Sequence, residues 1–157
     1  MTGAVIVDSV RTAQTKSWRG GFDLTHPVTL GGAVIAELVD RSGVEPGEVA
    51  DVVMGCANPE GAAGNNIARL SALRGGLPVS VAGQPVNKFC ASGLQAIATA
   101  AQRIIADECD IVIAGGVESI TAVQDQMNTH LATDAWMAEH HPDVYMPMLQ
   151  TAEIVAA

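Results

Sequence analysis

The amino-acid sequence predicts an α/β protein with a mostly parallel sheet covered by helices on both faces. Short apolar segments alternate with longer segments of helical spacing, which is the pattern of parallel strands joined by helical crossovers. The chain has 157 residues, of which 48% are apolar and only 3% aromatic, and it contains 16 glycines. The core must therefore be built from small aliphatic side chains, which suits strands and helices that lie close together.

Four strands and four helices follow from the pattern in chain order. The apolar runs predict strands over residues 4–10, 50–56, 79–86 and 110–116. Helical spacing predicts helices over residues 29–42, 67–74 and about 90–107, and a further helix that begins at Thr151 as its N-cap. Gly43 is the expected C-cap of the first helix, and either Asn65 or Asn66 is the expected N-cap of the second. Residues 127–150 are expected to form a loop.

Composition and charge argue against several classes of partner and site. The net charge is −9 with only eight Lys and Arg residues, so a basic surface for nucleic acid is not expected. No apolar run is long enough to span a bilayer, and the first residues lack the features of a secretory signal. The three cysteines form neither a metal-ligand spacing nor an even disulfide framework. The sequence therefore predicts a cytoplasmic protein without a membrane anchor or a metal site.

The segment around Cys90 carries the strongest chemical signal. A strand, the polar pair Asn87-Lys88 and an Ala-rich helix follow one another, with Cys90 predicted at the helix N-terminus. Free backbone N–H groups and the positive end of the helix dipole favour a thiolate there, and they can stabilise an oxyanion. Ser92 and Gly93 keep the first turn small enough for a substrate to approach. We therefore predict Cys90 as a nucleophile; the alternative is a small buried apolar residue.

Other reactive side chains are assigned structural roles. Cys56, near the end of the second strand, and Cys109 are predicted to be structural cysteines. Glu118, just past the fourth strand, is predicted to be a turn or supporting residue rather than a base. His140 and His141 are adjacent and cannot both face one metal ion from a helix or a strand, so no metal site is predicted.

Motifs along nearly the whole chain resemble the N-terminal part of a thiolase. The most specific is Asn-x-x-Cys-x-Ser-Gly at residues 87–93, followed by Gly-Gly-x-Glu-Ser at residues 115–119. The other matching segments are Val10-Arg11-Thr12, Val53-Met54-Gly55, residues 64–69, Gly76-Leu77-Pro78 and residues 148–153.

The resemblance implies the N-terminal half of a thiolase fold, with α/β/α layers and a mostly parallel sheet. The complete family fold has five layers, two similar halves and a loop domain inserted in the first half. By this resemblance, residues 1–120 form the N-terminal α/β domain that bears the nucleophilic cysteine. Residues 121–157 form the start of the loop domain, which is truncated. The fold is then expected to be incomplete without the C-terminal half.

The resemblance also implies a function and site residues. Cys90 takes the acyl group from a coenzyme A thioester, and its backbone N–H contributes to an oxyanion hole. Met148 matches a methionine near the acyl–pantetheine pocket and is a substrate-binding candidate. Coenzyme A is a substrate or product, no cofactor is bound covalently, and the family forms dimers or tetramers. Arg69 and the strand before Cys90 fall where family members pair.

Departures from the family pattern define the main hypothesis. Gly-His-Pro, Cys-x-Gly and Asn-Glu-Ala-Phe motifs do not occur; His26 precedes a proline but follows Thr25, and neither Cys56 nor Cys109 is followed by x-Gly. A nucleophile needs a base, and Claisen chemistry needs a second proton-transfer group. We therefore hypothesise that a second chain or a missing C-terminal part supplies both. The alternatives are a related condensing enzyme such as a ketoacyl synthase, and a non-catalytic assembly subunit or binding module.

Overall fold

The structure, a computed structural model, describes residues 3–157, and the chain divides into two compact units after Met127. The first unit contains a parallel three-stranded sheet with the order β2-β1-β3. The strands are β1 (Asp51–Gly55), β2 (Ala82–Val86) and β3 (Val112–Gly116). The predicted α/β class with a parallel sheet is confirmed, as are three of the four predicted strands.

Four α-helices accompany the sheet in the first unit: α1 (Pro27–Ser42), α2 (Ile67–Arg74), α3 (Ser92–Ile105) and α4 (Ile120–Val123). Short 3₁₀ turns span Pro46–Glu48, Gly61–Ala63 and Gln124–Gln126. Gly43 ends α1 with φ of 68°, in the left-handed region that glycine adopts without steric cost. Asn66, rather than Asn65, caps α2, because its side chain accepts a hydrogen bond from the Arg69 N–H.

The two faces of β1 are covered by different helices. Val52 and Met54 belong to the core cluster that includes Ile35 of α1 and Ile67 of α2. Because side chains alternate along a strand, Asp51, Val53 and Gly55 point to the opposite face, where α3 packs. All five β1 residues are buried, so this strand lies between the helices that pack on its two faces.

Both ends of α3 are fixed to β1. At the helix start, a Cβ added to Gly55 would lie 2.4–2.6 Å from backbone atoms of Ser92 and Gly93, so only glycine allows this approach. At the other end, the Arg103 guanidinium donates to the largely buried Asp51 carboxylate at 2.5 Å. The position of the helix start that follows Cys90 is therefore determined by the central strand.

The prediction of a buried strand over residues 4–10 is wrong. The segment is extended but pairs with no strand among the described residues, and Val5, Ile6 and Val7 are 77–80% exposed. Residues of this segment line a cavity of about 1170 Å³ together with residues of α1, α3 and β3. A β-branched run becomes a strand only where a neighbouring edge completes its hydrogen bonds, and composition alone does not reveal that neighbour.

The second unit, residues 128–157, is helical. It contains α5 (Ala135–His140), a 3₁₀ turn (Pro142–Tyr145) and α6 (Met148–Ala156), so the predicted loop over 127–150 is wrong in part. Asp134 caps α5 by accepting from the Met137 N–H at 2.8 Å. The predicted N-cap Thr151 is also wrong: α6 begins one turn earlier, and Thr151 donates to the Pro147 carbonyl from inside it.

Within residues 3–157, every helix is too short or too polar to cross a lipid bilayer.

Candidate active site

The C-terminal ends of β1, β2 and β3 lie side by side at one edge of the sheet, because the strands are parallel. Cys56 follows β1 directly, Asn87 follows β2, and Glu118 lies two residues after β3. Hydrogen bonds connect these three strand ends and lead to the turn that carries Cys90.

Glu118 holds the loop that follows β1. Its Oε2 accepts a hydrogen bond from the Ala57 N–H at 2.6 Å, and its Oε1 accepts from the Asn58 N–H at 3.3 Å. The first distance is short, as expected for a charge-assisted hydrogen bond. The predicted role of Glu118 as a turn or supporting residue is confirmed.

Asn87 links that loop to the turn that precedes α3. Its Nδ2 donates to the Ala57 carbonyl at 3.0 Å, and its Oδ1 accepts from the Phe89 N–H at 2.9 Å. Phe89 has φ of 48°, in the left-handed region that bulky L-residues rarely occupy. Such a conformation persists only where surrounding contacts hold it, and the Asn87 side chain supplies one of them.

Ser92 closes the same turn from the helix side. Its buried hydroxyl accepts from the Lys88 N–H at 2.8 Å and donates to the Phe89 carbonyl at 2.5 Å. Backbone hydrogen bonds from Ala91 to Lys88 and from Ser92 to Phe89 complete it. From the sequence alone, Ser92 is expected only to keep the first turn small, and Asn87 is expected only as part of a motif. The two-residue spacing between Asn87 and Phe89 indicates the hydrogen bond between them, since an Asn side chain readily bonds to the backbone N–H two residues further along the chain.

Cys90 is exposed, so the alternative of a buried apolar residue is wrong. The predicted helix start is also shifted: Ala91 is the N-cap and α3 begins at Ser92, which places Cys90 in the turn just before the helix. Among the described residues, no hydrogen-bond partner is found for the sulfur or the backbone N–H of Cys90. An exposed thiol and a free backbone donor are thus adjacent at the entry to α3.

Cys56 has the opposite environment. It is 1% exposed and its sulfur lies 3.8 Å from Glu118 Oε1. Burial, together with the negative charge of Glu118, raises the pKa of the Cys56 thiol from 9.0 to about 11. The prediction that Cys56 belongs to the core is confirmed, and Cys109 is a partly buried free cysteine.

The other residues considered from the sequence have the following places in the described chain. The ring Nδ1 of His26 accepts from the Val28 N–H at 3.2 Å and so caps α1. Among residues 3–157, no cluster of three or more His, Cys, Asp and Glu side chains has a geometry for metal binding. Met148 is the first residue of α6 in the second unit and is 73% exposed. Its role in substrate binding stays a prediction, as does the assignment of domains to residues 1–120 and 121–157.

Comparison with known families identifies the chain. Residues 4–154 match the family described as thiolase, N-terminal domain. The chain belongs to the thiolase family. It is 40% identical over 156 residues to a 3-ketoacyl-CoA thiolase of Bacillus subtilis (strain 168), covering 99% of this chain and 40% of the relative.

Two other thiolases show similar agreement. A steroid 3-ketoacyl-CoA thiolase of Mycobacterium tuberculosis is 42% identical over 124 residues, covering 78% of this chain and 30% of the relative. A beta-ketoadipyl-CoA thiolase of Acinetobacter baylyi is 44% identical over 122 residues, covering 77% and 30%. The chain thus spans less than half the length of these thiolases. The resemblance inferred from the motifs is confirmed, and the fold is that of a thiolase N-terminal domain.

Proposed function

We propose that this thiolase chain supplies the nucleophile for acyl transfer from coenzyme A thioesters. The observation that supports this proposal most directly is the position of Cys90, which is exposed on a hydrogen-bonded turn directly before the N-terminus of α3. In this proposal the Cys90 thiolate attacks the carbonyl carbon of the acyl group. The backbone N–H of Cys90 supports the developing oxyanion.

The proposed reaction is thiolysis of a 3-ketoacyl-CoA, or the reverse Claisen condensation of two acyl-CoAs. In thiolysis, the sulfur bonds to the keto carbon, the neighbouring carbon–carbon bond breaks, and the departing enolate takes a proton. The thiol of coenzyme A then transfers its proton to a base, attacks the acyl-enzyme and releases Cys90. No cofactor is required, and coenzyme A is substrate or product.

Proton transfer in this scheme needs groups beyond Cys90. No side chain among the described residues hydrogen-bonds to its sulfur, and the chain has no Gly-His-Pro or Cys-x-Gly segment. We infer that a second polypeptide or C-terminal part provides a base and a second cysteine, in a homo- or hetero-oligomer located in the cytoplasm. In the same proposal, residues 1–120 carry the nucleophile, 121–157 begin the loop domain, and Met148 contacts the acyl–pantetheine chain.

Reconstitution tests this proposal. The chain is assayed for thiolysis of a 3-ketoacyl-CoA alone and after assembly with a polypeptide that carries Gly-His-Pro and Cys-x-Gly. We expect turnover only in the assembly, accompanied by an acyl group on Cys90. Full thiolysis by the isolated chain would contradict the requirement for a second part.

A non-catalytic assembly subunit is the second candidate, favoured because no basic side chain within residues 3–157 hydrogen-bonds to the Cys90 sulfur. It predicts that the assembly turns over equally well when Cys90 is replaced. It also predicts that Cys90 reacts with alkylating agents no faster than Cys109. The exposed setting of Cys90 favours the catalytic proposal over this one.

A further inference from the structure

We propose that Glu118 and Asn87 act as positioning residues that fix the turn carrying Cys90. The two side chains form a relay, defined here as Glu118, the loop residues Ala57 and Asn58, Asn87 and Phe89. The proposal deepens the proposed function, because it assigns residues that place the nucleophile without touching the substrate.

The first step of the relay is the attachment of the β1 loop to the end of β3. The two Glu118 oxygens accept from the N–H groups of Ala57 and Asn58. The sheet positions Glu118, because the N–H of the preceding residue, Val117, donates to the Gly55 carbonyl at 3.0 Å. The carboxylate therefore transfers the fixed geometry of two strand ends to a loop that lacks secondary structure.

The second step runs from that loop to the turn. The Ala57 carbonyl accepts from Asn87 Nδ2, which orients the amide so that Oδ1 faces the Phe89 N–H. This N–H belongs to a residue with φ of 48° that directly precedes Cys90. Without the side-chain acceptor, Phe89 loses a contact that holds it in a sparsely populated conformation.

The consequence is a coupling between residues that are distant in sequence. Position 118 is separated from position 90 by the whole of α3 and β3. In the part of the chain that the structure describes, no hydrogen bond joins Glu118 to the turn directly. If the relay positions Cys90, a change that makes the loop at Ala57 more mobile must also make the Cys90 turn more mobile. A purely local Asn turn would not respond to Glu118.

The chain offers a matched control on the other face of the sheet. Asn66 makes the same kind of bonds as Asn87: its Nδ2 donates to the Gly83 carbonyl at 2.8 Å, and its Oδ1 accepts from the Arg69 N–H at 3.0 Å. Its own φ is 62°. It caps α2, which packs on the face of the sheet opposite α3. Asn66→Ala thus removes equivalent bonds without touching the relay.

The test uses the full chain and its variants Asn87→Ala, Glu118→Ala, Glu118→Gln and Asn66→Ala. Iodoacetamide labelling with peptide mapping gives the ratio of Cys90 to Cys109 alkylation rates, and hydrogen exchange gives the protection of the Ala57, Asn58 and Phe89 amides. Asn87→Ala removes two ordinary hydrogen bonds, one to the Ala57 carbonyl and one from the Phe89 N–H, so we expect it to lower the ratio about tenfold. Access does not limit the rate, since Cys90 is already exposed.

The Glu118 variants test the relay itself. Glu118→Ala is expected to expose the Ala57 and Asn58 amides and also to lower protection at Phe89 and the Cys90 ratio. Glu118→Gln keeps one acceptor oxygen and is expected to fall between Glu118→Ala and the unmodified chain, and it serves if Glu118→Ala does not fold. Asn66→Ala is expected to leave the Cys90 ratio and the Phe89 amide unchanged.

The outcomes separate this proposal from the proposed function. Loss of protection at Ala57 and Asn58 with an unchanged Phe89 amide in the Glu118 variants would overturn the relay. So would an equal fall in the Cys90 ratio for Asn66→Ala and Asn87→Ala. If Cys90 of the unmodified chain reacts no faster than Cys109, the proposed nucleophile fails, while the Phe89 amide still decides the relay.

Discussion

Cys56 and Cys90 follow the ends of two neighbouring parallel strands, yet their environments are opposite. Cys56 directly continues β1, where its N–H donates to the Val86 carbonyl at 3.0 Å and its side chain enters the core cluster. Cys90 comes four residues after Val86, on a turn outside the sheet, and is exposed. The few residues between strand and cysteine therefore decide whether a thiol is part of the packing or available for chemistry.

The largest expected effect tests the function of the exposed thiol, Cys90. In the assembled enzyme, Cys90→Ser is expected to lower the rate of thiolysis by more than about 10³-fold, because the acyl-enzyme can no longer form. Cys109→Ser is the control and is expected to retain the rate of the unmodified protein. Substantial turnover in Cys90→Ser, measured as release of acetyl-CoA, would end the assignment of Cys90.

A second prediction concerns the close contact between Gly55 and the start of α3, which follows the Cys90 turn. Gly55→Ala forces a Cβ against the backbone of Ser92 and Gly93, so we expect the free energy of unfolding to fall by about 1–3 kcal/mol. Gly115→Ala is the matched control in β3, where the added Cβ meets nothing within 4 Å. It is expected to be neutral or to add about 0.5 kcal/mol. Urea denaturation of both variants measures the difference.

A third prediction follows from the raised pKa of Cys56. The folded protein keeps this thiol protonated up to about pH 11, whereas the unfolded chain loses the proton near pH 9.0. The contribution of the Cys56 thiol to the free energy of unfolding is therefore fully present below pH 9.0. It is lost as the pH rises toward 11, by an amount on the order of 2 kcal/mol. Unfolding experiments across this range should show the decline, and Cys56→Ala should reduce its slope. Equal slopes would show that the Cys56 thiol is not the cause.

The smallest expected effect concerns the negative charge of Glu118 beside Cys56. Glu118→Gln removes the negative charge beside Cys56, so the pKa of Cys56 is expected to fall. It should remain above 9.0, because burial is the larger cause and is unchanged. Thiolate absorbance during a pH titration, with Cys90 and Cys109 replaced by Ser, measures the shift. A pKa that does not move would contradict a charge effect of Glu118.

Sequence reasoning predicted the parts of this structure that depend on local chemistry. The three paired strands, the Gly43 C-cap, the capping of α2 by an Asn and the structural role of Cys56 follow from periodicity and turn residues. It failed where the outcome depends on tertiary partners. Residues 4–10 have the composition of a strand, but no described neighbour completes their hydrogen bonds.

The candidate site divides in the same way. The place of Cys90 between an apolar run and an Ala-rich helix is predicted from the sequence, although the helix starts two residues later than predicted. The links from Glu118 to Ala57 and from Ala57 to Asn87 join residues about 30 to 60 positions apart. No local pattern contains them, because they arise only when parallel strands bring their ends together.

The most direct test of the central claim is to map where an acyl group goes. The assembled protein is incubated with acetyl-CoA, quenched in acid and digested, and the three cysteine-containing peptides are weighed by mass spectrometry. The account predicts one acetyl group on the Cys90 peptide, none on the peptides of Cys56 and Cys109, and loss of the label when free coenzyme A is added. An acetyl group on Cys56 or Cys109, or none on Cys90 in an assembly that turns over, would contradict it.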